Sequence, residues 1–140
     1  MENELTKCAC NGSFLDKLLQ PALLTLLTAG PSYGFQLLSD LEHSRMVSGD
    51  SLDPAGLYRT LKRMETAGLV SSFWDTETNA KPRRIYSITN QGLSCLGSWH
   101  RTLLEYRNSL DTILRGIERC SLISAFAQQP QHHPVQEDAE

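Results

Sequence analysis

Asp53-Pro54-Ala55-Gly56-Leu57-Tyr58-Arg59-Thr60-Leu61-Lys62-Arg63-Met64-Glu65-Thr66-Ala67-Gly68 reads as a helix with both of its ends written into the sequence. Asp53 offers a carboxylate to the free N–H groups of a first turn. Pro54 presets φ where an N–H has no intrahelical partner, and Gly68 supplies the residue type that most often ends a helix. Leu57, Leu61 and Met64 recur at helical spacing and form a stripe for burial. With about 100° between successive residues, Ala55, Arg59, Lys62, Arg63 and Thr66 fall on the opposite side. A helix that buries one stripe in its own domain while holding cationic donors outward meets the requirements for entering the major groove of DNA. A solvated amphipathic helix has the same periodicity, so the neighbouring elements decide between the two.

Upstream, Phe14 to Leu19 is a short apolar-rich segment, and Pro21 opens a helix that runs through Leu27 and ends at Gly30-Pro31. Ser32 then caps a second helix, Tyr33 to His43, with Phe35, Leu37, Leu38 and Leu41 as its core-facing residues. Met46 to Leu52 is a Ser- and Gly-containing loop. Downstream of Gly68 the pattern turns to strands: Val70 to Trp74, a polar loop containing Asn79 and Pro82, then Arg84 to Ile88. Three helices followed by a hairpin with a basic edge is the order of a winged helix-turn-helix, a mainly α fold with a small β-hairpin. Lys81, Arg83 and Arg84 are then the hairpin's candidate contacts to flanking phosphate.

Thr89 is read as the cap of a last, long helix whose apolar residues are Leu96, Trp99, Leu103, Tyr106, Leu110, Ile113 and Ile117. Their separations alternate between three and four residues, the pattern by which two helices pack along each other, so this helix is expected to join two protomers. The organisation is thus an arm over 1–13, a DNA-binding domain over 14–89, a dimerisation helix over 90–122 and a polar tail over 123–140.

Hydrophobic residues make up 40% of the 140 and charged residues 21%, a composition that folds. The net charge of −3 argues against a nucleic-acid partner until its placement is considered. Arg59, Lys62, Arg63, Lys81, Arg83 and Arg84 cluster in the helix and hairpin, while acidic residues gather at the chain ends. No apolar run has the ~20 residues of a membrane span and the N-terminus does not read as a secretion signal, so no membrane partner and a cytoplasmic location are expected. No phosphate loop, nucleophile elbow or metalloprotease motif is present, and an enzyme is not expected. Cys8 and Cys10 in the arm admit a metal- or redox-sensing role, with a third ligand from Cys95, Cys120 or a His. Cys-x-Cys is a weaker metal signal than Cys-x-x-Cys, and ordinary cysteines are the commoner case. Use of the winged helix to bind another protein is the remaining alternative.

Three stretches also carry a family resemblance. Ala29-Gly30-Pro31-Ser32-Tyr33-Gly34-Phe35-Gln36-Leu37 resembles an opening motif of PadR-type regulators, with Ser32-Tyr33 standing where that family usually has a small residue and His. Asp53 to Val70 is similar to its recognition-helix segment, and Arg84 to Gly92 to its wing-to-helix junction. The resemblance covers about residues 20–115 and is to the small-sized subgroup with a single C-terminal helix. It implies a dimeric regulator, usually a repressor, whose residues matching Tyr58, Arg59, Lys62 and Arg63 lie on or beside the DNA-facing side. It also implies a small-molecule effector in a cavity between protomers lined by Trp99 and Tyr106, whereas the seam spacing itself favours reading these two residues as plain dimer core.

Overall fold

The computed structural model describes residues 15–47, 53–76 and 81–120, together with Leu122. The arm with Cys8 and Cys10, and the tail from residue 123, lie outside the described residues. A 3-10 turn, Leu15–Leu18, runs into α1, Leu19–Leu27. There follow β1 (Ser32–Tyr33), α2 (Gly34–Ser44), α3 (Pro54–Thr66), β2 (Val70–Asp75), β3 (Arg83–Ile88) and α4 (Asn90–Glu118).

The α3 helix begins as its sequence dictates: Asp53 is the extended N-cap, its Oδ1 accepts from the Ala55 N–H at 3.2 Å, and Pro54 follows. Gly68, at φ +80°, turns the chain out of the helix. Leu57, Leu61 and Met64 are fully buried and join Leu23, Leu24 and Leu27 of α1 and Leu37 and Leu41 of α2 in one core. α2 ends on Arg45, held in the left-handed region at φ 57°.

Three expectations are corrected. Pro21 lies within the first turn of α1 and does not open it. Ser32 does not cap α2: it pairs with Tyr86 in β1, which adds to the free edge of β3 and makes a three-stranded antiparallel sheet in the order β1-β3-β2. The ladder takes Ser32, so the cap position passes to Tyr33, whose side chain makes no capping bond. Phe35 is not a core residue. It is 50% exposed, because the turn from β1 into α2 aims it at the hairpin while Leu37 and Leu41 point inward.

The hairpin register pairs Val70 with Ile88, Ser72 with Tyr86, Trp74 with Arg84 and Asp75 with Arg83. Directly opposed residues share a face, so Trp74, Arg84 and Tyr86 lie on one side of the sheet and Asp75, Arg83, Ile85 and Tyr33 on the other.

The base of the hairpin is closed by Thr89. Its N–H donates to Leu69 O at 3.1 Å, its hydroxyl donates to Gly68 O at 2.6 Å, and the same hydroxyl accepts from the Gly92 N–H at 3.0 Å. One residue thus joins the end of α3, the base of the hairpin and the first turn of α4. Gly92 is buried there, and a Cβ on it would collide with Leu69 O. Cys95, Leu96 and Trp99 pack against the core, and Trp99 Nε1 donates to Gln20 Oε1 at 2.9 Å.

The chain divides into two compact units after His100, so the first turns of α4 group with the winged unit. In the second unit Tyr106, Leu110, Ile113, Leu114 and Ile117 are exposed. Among the described residues no helix is long and apolar enough to cross a membrane.

Replacing Thr89 by Val removes a donor and an acceptor at once, whereas Ser keeps both. Thr89→Val is expected to lose about 1–2 kcal/mol in urea unfolding, as for other lost caps, and Thr89→Ser well under half of that. Equal stability for the Val and Ser variants would show that the hydroxyl carries no share of the junction.

Candidate nucleic-acid interface

With its apolar stripe committed to the core, α3 turns Ala55, Arg59, Lys62, Arg63 and Thr66 outward, and all five are exposed. Arg59, Lys62, Arg63, Thr66 and Ala67 line a shallow hollow on this face. Internal bonds here are few and weak. Arg59 Nη2 lies 4.0 Å from Asp53 Oδ2 with both side chains more than 60% exposed, a pair too solvated to hold the guanidinium back from a stronger anion. Arg63 Nη2 reaches Thr60 Oγ1 at 3.4 Å, and Thr66 Oγ1 turns back to Lys62 O at 3.0 Å. The face therefore offers three cations and little that competes for them.

Tyr58 sits at the flank of this face nearest the wing, 46% exposed. It lies directly over Gly34: a Cβ built there would be 2.5 Å from Tyr58 Cε1 and 2.9 Å from its hydroxyl. Glycine at the start of α2 is what lets the ring occupy that place.

Two sets of contacts fix the wing. On one face of the sheet, Glu65 of α3 accepts from the Ser72 hydroxyl at 2.6 Å with Oε1, while its Oε2 lies 3.9 Å from Arg84 Nη2. Arg84 also stands over the Trp74 ring, 5.4 Å from the centroid. On the other face, the Tyr33 hydroxyl donates to Asp75 Oδ2 at 2.6 Å. The hydrogen bond to the Asp75 carboxylate, helped by some desolvation, holds the Tyr33 phenol above its ordinary range. Tyr33 stacks on Phe35 with centroids 5.5 Å apart, and Arg83 lies over both rings, 5.8 and 5.2 Å from their centroids. Such contacts at exposed sites contribute about 0.5–1 kcal/mol each. Tyr33, Phe35, Tyr58, Trp74, Arg83 and Arg84 together border a second hollow.

The sequence-derived residues therefore form two groups within one unit, Tyr58, Arg59, Lys62 and Arg63 on α3 and Lys81, Arg83 and Arg84 on the wing. Reading charge and periodicity missed Glu65 as the tie between them, and missed Tyr33, Phe35 and Trp74 as the rings on which the wing arginines rest. The alternation of β2 against β3 held the signal for Trp74, which faces Arg84 in register. Of the other candidates, His43 Nδ1 is 2.7 Å from Ser39 O, Cys95 is half-buried and Cys120 is exposed. No group of three metal-ligating side chains occurs among the described residues.

The sequence matches, over residues 23–98, the family described as the transcriptional regulator PadR-like family. The chain belongs to this family. PadR-like proteins are transcription regulators and not enzymes. Among solved structures, a PadR family regulator from Eggerthella lenta is 24% identical and superposes with a TM-score of 0.63, covering 81% of this chain and 93% of that one. A conserved protein described as a potential transcriptional factor is 31% identical, with a TM-score of 0.61 and 72% and 88% covered. PadR of Bacillus subtilis, solved in complex with operator DNA, is 22% identical with a TM-score of 0.51, over 58% of this chain and 46% of that one, a likeness of fold. A search of curated proteins found no match.

Because Tyr58 and Gly34 share one space, Gly34→Ala is expected to destabilise the protein by about 1 kcal/mol through overpacking, and to cost nothing once Tyr58→Ala has cleared the site. Additive effects in that double-mutant cycle, measured by chemical denaturation, would mean that the ring moves aside freely.

Proposed function

We propose that this PadR-like regulator binds double-stranded DNA as a homodimer, laying α3 in the major groove and the wing along the flanking backbone. The observation that carries this reading is the division of α3 into a buried stripe and an exposed face bearing Arg59, Lys62 and Arg63. In this reading Tyr58 and the three cations face the groove, and Lys81, Arg83 and Arg84 approach phosphates. The Bacillus subtilis relative's operator complex supports it. The finer reading is a repressor on a palindromic operator, with binding modulated by an effector at the protomer interface; the repressor role and the effector are carried by the resemblance, and a cytoplasmic location by the sequence pattern.

The test is a mobility-shift titration at fixed salt, using the promoter region adjacent to the gene. Single Ala replacements of Arg59, Lys62 and Arg63 should leave the fold intact. A base-reading arginine should lose about 1–3 kcal/mol at its own base pair, and a phosphate contact should weaken all sequences alike. Wild-type affinity in all three variants would rule out α3 as the reading element.

Pairing follows from geometry, since a two-half-site operator needs recognition helices about 34 Å apart. The proposed seam is Leu96, Trp99, Leu103, Tyr106, Leu110, Ile113 and Ile117. Leu96 and Trp99 already pack on their own core, so in this reading the joint falls mainly to Leu103 and the exposed residues beyond it, with Leu114 on the same side. Truncating a buried Leu costs about 2–5 kcal/mol. Leu103→Ala/Leu110→Ala is expected to sediment as a monomer and to lose tight DNA binding with every DNA-facing residue intact. A folded variant that stays dimeric would place the contact elsewhere.

A further inference from the structure

Arg83 and Arg84 are neighbours in the sequence but are held in different ways. Arg84 faces α3, between the Trp74 ring and the Glu65 carboxylate. Arg83 is on the opposite face of the sheet, laid over the Tyr33–Phe35 pair. An exposed arginine on a hairpin edge ordinarily samples many rotamers, and ordering it on binding opposes the binding. Arg83 is different because two stacked aromatic rings, whose planes differ by 13°, offer its guanidinium a seat 5.8 and 5.2 Å from their centroids. A guanidinium held near aromatic rings by cation–π attraction has fewer rotamers left to order when its planar fork of N–H donors meets two phosphate oxygens.

The seat is itself anchored. The Tyr33 hydroxyl is bonded to Asp75, the cross-strand partner of Arg83, and the Tyr33 backbone pairs with Ile85 in the sheet. Phe35 supplies the second ring from the first turn of α2. It is half exposed and lies outside the hydrophobic core, so the core does not explain a large aromatic residue at this position.

We propose that Phe35, with Tyr33, is a positioning residue for DNA binding: it holds the Arg83 guanidinium in place before the phosphate arrives. The proposal rests on the reading of Arg83 as a wing contact. It adds that the affinity contributed by Arg83 depends on an aromatic surface in α2, an element that supplies no residue to the proposed DNA-facing set.

The probe is a fluorescein-labelled duplex of mixed sequence, about 30 bp or roughly three helical turns, at low salt, because phosphate contacts are independent of sequence. Phe35→Leu is expected to weaken binding about two- to fivefold, the affinity equivalent of one exposed cation–π contact, and Phe35→Tyr to stay at wild type. Arg83→Ala should weaken binding by more, and adding Phe35→Leu to it should change nothing further. In the free protein, ring current should shift the Arg83 side-chain protons upfield, and Phe35→Leu should remove most of that shift. This measurement is independent of DNA and is made on side-chain resonances of a variant whose amide spectrum shows it to be folded.

If Arg83→Ala weakens binding while Phe35→Leu does not, the positioning role is overturned and the wing reading stands. If Arg83→Ala binds like wild type, the wing reading falls and the positioning role with it. Additive losses would mean that Phe35 acts other than through Arg83, and would also overturn the proposal.

Discussion

The burial of Leu57, Leu61 and Met64 against the leucines of α1 and α2 sets the rotation of α3, and the rest of the functional surface follows from that rotation. Burying three such side chains contributes on the order of 5–9 kcal/mol, comparable with the whole net stability of a small domain. Turning α3 by one residue, about 100°, would draw Tyr58 and Glu65 toward the core and expose Leu57. Neither a carboxylate nor a phenol has a partner waiting there, so the penalty for misrotation is steep. The basic face is outward because the alternative is excluded.

A second constraint ties the wing to that helix. Glu65, the acid of an otherwise basic segment, reads in isolation as a flaw in a phosphate-binding surface. In the fold it accepts from Ser72 and stands beside Arg84, linking α3 to both strands of the hairpin. Tyr33 and Asp75 make the corresponding link to the start of α2. The net charge of −3 is therefore a poor guide to this surface, since some of its acids are structural and most of its cations point to solvent.

Much of this was legible in the sequence because it depends on local rules. Asp53-Pro54 and Gly68 bound α3 as expected, the three-residue apolar stripe is buried, and Thr89 caps α4. What escaped the reading depends on partners remote in sequence. Ser32 has good capping chemistry, but an open strand edge more than fifty residues later claims it, and no local pattern announces a two-residue strand. Phe35 fits the helical period of Leu38 and Leu41 closely enough to pass for core, and only the direction from which α2 leaves β1 turns it to the wing. The seam of α4 reads as one continuous stripe, yet its first two members serve their own domain, because Thr89 and the buried Gly92 bring that turn down onto the core.

The Thr89 junction bears on what heritable change can do to this protein. At position 89 only Ser offers the same oxygen, and at 92 a Cβ meets Leu69 O, so this crossing of three elements admits almost no variation. Positions 55, 59, 62, 63 and 66 are under no such restraint: their side chains lie outside the core, and replacing them leaves the buried stripe as it was. The residues that keep the fold and the residues that present its surface are thus separate sets on the same few elements. A lineage can redraw the outward face of α3 one residue at a time without passing through an unfolded ancestor.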